Sequence, residues 1–347
     1  MLDRRAFLAM NLTALAAGRL RADVGGAAPA FTTRGVVLTP EDFSLEDWPE
    51  RARRAGLTTI GLHHQNSPRA IVDWVRSDPG RRFLEACRTL GLEVEYELHA
   101  MKELLPRGLF EKDPELFRMD EEGRRNPDAN LCVHAPAALD VAAENAVAIA
   151  ETLRPTTGRY FYWGDDGLPW CRCPRCRGLS DADQALLLEN HLLKALRRRD
   201  EKASLAHLAY ANSMAPPTQV RPEPGVFLEY APIYRSYDRP YAEQAGADQK
   251  DPISALDANL QVFPAESAQV LEYWLDVSLF SKWKRPAVEL PWRKDVLEAD
   301  LAAYAARGVR RVTSFAVYVD AEYRRRYGEP TFIQEYGEAL AGVGARG

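Results

Sequence analysis

"TIGLHHQNSPRAIVDWVRSDPGRRFLEACRTLGLEVEYELH", residues 59–99, holds one whole unit of the fold. Thr59–His63 and Val94–His99 are short runs of strand type. Between them Phe83, Cys87 and Leu90 recur at helical spacing and line one face of a helix. A strand, a helix and a second strand in this order make a parallel pair, because the helix carries the chain back to the end where it started.

The unit repeats outward. Gly35–Leu38 precedes it, and Tyr160–Gly164, Leu205–Ala211, Val226–Tyr230, Ala287–Leu290 and Val312–Val317 follow. Helical stripes fall between most of them, such as Trp48, Ala52 and Ala55, or Leu188, Leu192 and Ala195. Eight such runs predict an α/β fold of the (β/α)₈ barrel type, one domain over residues 31–340. A barrel one strand short would fit the same pattern. The segment from Met101 to Leu131 has little periodicity, and its Leu105, Phe110, Leu116 and Phe117 predict a structured loop.

The composition is that of an ordinary globular chain, 46% hydrophobic and 27% charged over 347 residues. A net charge of -5 gives no electrostatic case for nucleic acid or an anionic membrane surface. The first residues read as a leader. Arg4 and Arg5 stand ahead of Phe7 and Leu8, a short apolar stretch runs to Ala17, and Ala22 precedes Asp23. This resembles a twin-arginine export signal over residues 1–22, too short to span a bilayer. It predicts a folded protein delivered to the periplasm or beyond, with no membrane anchor once the signal is removed. Oligomeric state is not legible.

Barrel chemistry sits at the C-terminal ends of the strands. There the sequence places His63 and His64, Glu97 and His99, Trp163 with Asp165 and Asp166, Tyr210 with Asn212, Glu229 with Tyr230, and Glu289 with Trp292. Carboxylates, histidines and large aromatics together describe a carbohydrate site, where ring faces stack on sugars and polar groups take hydroxyls. Adjacent residues at a strand end point to opposite sides, so one of the two aspartates faces the pocket. Asp165 is preferred over Asp166 as general acid, with Glu229 as the second carboxylate. His63, His64 and His99 would bind a substrate carboxylate or hydroxyl, and Trp163, Tyr210 and Trp292 would stack on sugar. Asn212, Tyr230 and Glu289 complete the substrate-binding set. If Asp165 is instead a loop cap and Glu229 an ion-pair partner, the same residues describe a non-catalytic carbohydrate-binding or degenerate barrel.

Of five cysteines, Cys87 belongs to a helix face. Cys132, Cys171, Cys173 and Cys176 fall in loops after neighbouring strands, and the C-x-C-x-x-C spacing suits a closed, structural tetrahedral zinc site. His134 could replace Cys132 in it. Two disulfides or free thiols are the alternatives.

The stretches "HAMKELLPRGLFEKDPELFRMDEEGRRNPDANLCVHAP", "WGDDGLPWCRCPRC", "LAYANSMAPP" and "VLEYWLDVSLF" resemble the family called domain of unknown function 4838. The resemblance implies a glycoside-hydrolase-like barrel akin to those of α-glucuronidases and β-N-acetylhexosaminidases. It also implies a carbohydrate as partner.

Overall fold

Eight parallel strands close into a barrel in chain order in the computed structural model, which describes residues 30–64, 67–244 and 252–343. They are β1 (Thr33–Leu38), β2 (Thr59–His63), β3 (Glu93–His99), β4 (Arg159–Trp163), β5 (Ser204–Ala209), β6 (Val226–Tyr230), β7 (Gln269–Glu272) and β8 (Arg311–Phe315). The barrel is complete, because β8 pairs with β1 in parallel, with Gly35 opposite Thr313. Helices lie between the strands and cover the outside. The expected export signal, residues 1–22, lies outside the described residues. Among those residues no helix is long and apolar enough to cross a membrane.

The alternation of each strand sorts its side chains into two cores. On β3, Val94, Tyr96 and Leu98 join the large outer core between barrel and helices. On β4, Tyr160 and Tyr162 do the same, while Phe161 and Trp163 turn inward with Phe227 and Phe315. Glu95, Glu97 and Glu229 occupy inward positions too, and all three are fully buried. The barrel is therefore filled partly by charge rather than by aliphatic layers alone.

One expected strand is corrected. Ala287–Leu290 is not a strand but an extended loop outside the barrel: the Ala287 carbonyl accepts from Tyr327 at 2.9 Å and the Leu290 N–H donates to Tyr323 at 3.1 Å. The seventh strand is Gln269–Glu272, whose polar ends are satisfied within the fold. Arg159 donates to the Gln269 side chain at 3.3 Å, and Arg235 donates to Glu272 at 2.8 Å.

The long connection after β3 is built, as its apolar residues predict. It contains the short helices Met101–Leu104, Arg107–Glu111 and Pro114–Leu116, with Leu104, Leu105 and Phe117 fully buried. It lies against the loop after β4, and that contact shapes the mouth of the barrel.

Candidate active site

A cavity of about 750 Å³ opens at the C-terminal ends of the strands. His63, His64 and His99 line one side of it, Trp163 and Phe315 its floor, and Tyr210, Tyr234 and Tyr273 its wall. Asp166 from the β4 loop and Asp276 from the β7 loop face into it, with Glu41, Trp283 and Arg285 also on its lining.

The two adjacent aspartates part company here. Asp165 does not line the cavity. Its Oδ2 accepts the Asn130 backbone N–H at 2.6 Å and pairs with Arg107, while its own N–H donates to Asn130 Oδ1 at 2.9 Å. Asn130 then donates to the carbonyls of Leu168 and Pro169 at 3.0 and 3.1 Å. Asp165 thus fastens the β3 loop to the β4 loop. Asp166, the next residue, is exposed to the cavity beside Tyr210, whose phenol is pushed well up by burial and then by this carboxylate.

Glu229 is not in the cavity either. It lies inside the barrel, where its Oε2 accepts the Trp163 indole N–H at 2.7 Å, so the indole stands between Glu229 and the cavity. Glu97 meets Glu229 in the same interior. Burial and then the facing Glu229 carboxylate raise Glu97 well above the ordinary range, and burial pushes Glu229 up to about 8. Burial and the like charge of the neighbouring carboxyl both favour the protonated form. Arg159 adds charge below, 3.7 Å from Glu95 and stacked 3.6 Å over the Phe227 ring.

Four further candidates fall elsewhere. Tyr230 points outward from β6 and accepts from Tyr241 at 3.0 Å. Asn212 bridges Leu168 and Asp181, at 3.1 and 2.6 Å. Glu289 is exposed on the loop that was read as a strand, and Trp292 beyond it donates to Glu335 at 3.2 Å. That misreading displaced the seventh strand end, and with it Tyr273 and Asp276.

Asp276 follows β7 and caps the helix Val277–Phe280. Its Oδ1 accepts from the backbone N–H groups of Ser278 and Leu279, at 3.0 and 3.2 Å, and from the Ser278 hydroxyl at 2.6 Å. Burial nevertheless pushes its carboxyl up to about 6. A carboxyl that keeps its proton to that pH, on the wall of a cavity, is suited to proton transfer.

Beside the site, Cys132, Cys171, Cys173 and Cys176 are all buried, with ligand atoms within 4.8 Å of one another. Cys132 Sγ lies 3.9 Å from that of Cys173 and 3.8 Å from that of Cys176. His134 stands outside the four, with Nδ1 at 3.2 Å from Cys176 Sγ. The cluster could hold a metal ion, and it joins the same two loops as the Asn130–Asp165 pair.

The chain belongs to the family described as Domain of unknown function (DUF4838), whose model matches residues 27–327. No curated protein matches the sequence. Among solved structures, a β-galactosidase from Rahnella sp. R3 is similar at 11% identity and a TM-score of 0.56, over 92% of this chain and 58% of that one. A β-galactosidase from the psychrophilic Marinomonas ef1 is similar at 12% identity and a TM-score of 0.53, over 90% of this chain and 59% of that one. ZgEngAGH5_4, in complex with a cellotriose, is similar at 13% identity and a TM-score of 0.50, over 90% and 98%. This chain spans about three fifths of the length of the two galactosidases. At these identities the likeness is one of fold, the (β/α)₈ barrel that this chain shares with those glycoside hydrolases.

The interior carboxyls make stability depend on pH. The folded state holds the Glu229 proton up to about pH 8 against an ordinary 4.5, so the contribution of this group to stability is full below about pH 4.5 and is lost as pH rises from there to about 8. Glu229→Gln, whose amide oxygen can still accept from Trp163, removes one ionisation. Its melting temperature should drop less than the wild-type value between about pH 5 and pH 8. Parallel curves for the two proteins would show that Glu229 is already ionised in the fold.

Proposed function

We propose that this chain is an exported glycoside hydrolase that cleaves a carbohydrate held in the cavity at the mouth of the barrel. One observation carries the reading: two carboxyls, Asp166 after β4 and Asp276 after β7, reach the same cavity between aromatic walls. Glycoside cleavage needs a proton donor at the leaving oxygen and a second carboxylate as nucleophile or base. Asp276, raised to about 6, serves as donor. Asp166, beside Tyr210, serves at the anomeric centre or on the attacking water. Asp165 and Glu229 act as supports, the first through Asn130 and the second through Trp163. The similarity to two β-galactosidases agrees with this class of reaction.

Asp276→Asn should lower turnover of a glycoside with a poor leaving group by about 10²–10⁴-fold and that of an activated aryl glycoside far less. Asp166→Asn should impair both. The reverse contrast would exchange the two roles. Because the donor must be protonated, kcat/KM of the wild type should fall as pH rises above about 6. A non-catalytic carbohydrate-binding barrel is the second reading, favoured by the enclosure of Glu97 and Glu229 beneath Trp163. Sugar binding without turnover, unchanged in both variants, would establish it.

The four cysteines are proposed to hold a structural zinc. Zinc–thiolate bonds of about 2.3 Å set tetrahedral edges near 3.8 Å, and the two sulfur separations of 3.8 and 3.9 Å fit those edges. A disulfide would need about 2.05 Å. Four thiolates close the coordination sphere, so the metal would clip two loops and take no part in catalysis. Purified protein should carry about one zinc per chain, and Cys173→Ser should lower both zinc content and melting temperature. Zinc-free protein with two disulfides would refute the site.

Export rests on Arg4 and Arg5 ahead of Phe7 and Leu8. With both arginines changed to lysine, the protein should stay in the cytoplasm. Fractionation that finds the double variant exported normally would end the twin-arginine reading.

A further inference from the structure

We infer that His63 and His99 offer the cavity two hydrogen-bond acceptors and no donor, so that the sugar ring bound against them is uncharged and presents two free hydroxyls. The inference rests on the carbohydrate reading above and narrows it to a substrate class. The backbone decides it. His63 Nδ1 lies 2.7 Å from the carbonyl oxygen of Glu97, and His99 Nδ1 lies 2.7 Å from that of Gly164. A carbonyl oxygen can only accept, so each Nδ1 carries the hydrogen, and in a neutral imidazole Nε2 is left as a lone pair. Among the described residues neither Nε2 has a hydrogen-bond partner, and both rings line the cavity. Burial holds the His63 imidazole down to about 3, which keeps that ring neutral.

The rings are placed to act on one ligand. Their centroids are 5.9 Å apart with an edge-on angle of 78°. Both lie beside Trp163, at 5.7 and 5.0 Å. Several donors of the lining are already occupied. The Trp163 indole N–H goes to Glu229 at 2.7 Å, and the Ser278 hydroxyl to Asp276 at 2.6 Å. Arg285 at the rim is paired with Asp320 at 2.7 Å and Glu322 at 3.6 Å, and lies over the Tyr318 ring. A uronate, sulfate or phosphate group would set its lone pairs against those of the two imidazoles and of Asp166. A hydroxyl has the hydrogen they need. Discrimination therefore comes from what the floor refuses as much as from what it binds.

Two measurements at about pH 8, above the ordinary histidine range, test the inference. In ¹⁵N-histidine-labelled protein, with signals assigned by their loss in His63→Gln and His99→Gln, proton–nitrogen correlation should show hydrogen on Nδ1 and none on Nε2 for both rings. A proton on either Nε2 overturns the inference whatever sugar binds. Calorimetry with methyl glycosides of glucose, galactose and mannose, their monodeoxy forms and the matching uronides forms the second arm. The best neutral glycoside should bind at least about tenfold more tightly than its uronide, and loss of one contacted hydroxyl should weaken it by about tenfold. A uronide that binds as well overturns the inference alone. Correct tautomers with no binding by any member of the panel would instead overturn the carbohydrate reading, and the inference with it.

Discussion

The hydrogen bond from the Trp163 indole to Glu229 divides the barrel into two compartments. Below it, Glu95, Glu97, Glu229 and Arg159 balance one another out of water. Above it, the same indole is the floor on which a ligand would rest. A buried carboxylate without a partner is costly, and the indole N–H is one of the few donors that reach this depth. The interior therefore fixes the floor, and the chemistry of the cavity is left to groups on the loops.

Those loops are held by a second junction. Asn130 and Asp165 exchange hydrogen bonds between the connections after β3 and β4, and the four cysteines meet between the same two connections. Gly164 sits at the crossing, where a Cβ would lie 2.9 Å from Asn130 Oδ1 and 3.1 Å from the Trp170 ring. Asp166 follows directly, so its direction is set by residues that never touch the cavity. This is how one aspartate of an adjacent pair becomes a fastener and the other faces a ligand.

Much of this was legible in the sequence, and the misses share a cause. Seven of the eight strand runs overlap observed strands, because their outward faces are apolar and alternate. The seventh, "QVLE", has polar ends buried against Arg159, Arg235 and Tyr304, and hydrophobicity cannot announce a strand whose ends are satisfied by hydrogen bonds and an ion pair. "AVEL" has the expected pattern but lies in a loop whose polar backbone is met by Tyr323 and Tyr327. His63, His64, His99, Trp163, Asp166 and Tyr210 do line the cavity. Glu229 and Asp165 do not, since sequence gives the end of a strand but neither the depth of a side chain nor the partner that will take it. The gathering of the cysteines was readable from spacing alone, because close ligands and neighbouring strands leave little freedom.

The pairing of β1 with β8 also ties the completion of the fold to the timetable of synthesis. β1 can find β2 as soon as residue 63 is made, but the partner for its other edge, around Thr313, arrives 278 residues after Gly35. At about 5–20 residues per second, that edge stands open for roughly 15–55 s on the ribosome. An open edge is a template for the wrong strand, and this one begins with Thr33 and Arg34, whose polar side chains discourage such contacts. When β8 is in place, Tyr336 from the helix Phe332–Gly342 donates to the Gly35 carbonyl at 2.8 Å, and β1 is locked by a residue made 301 positions later.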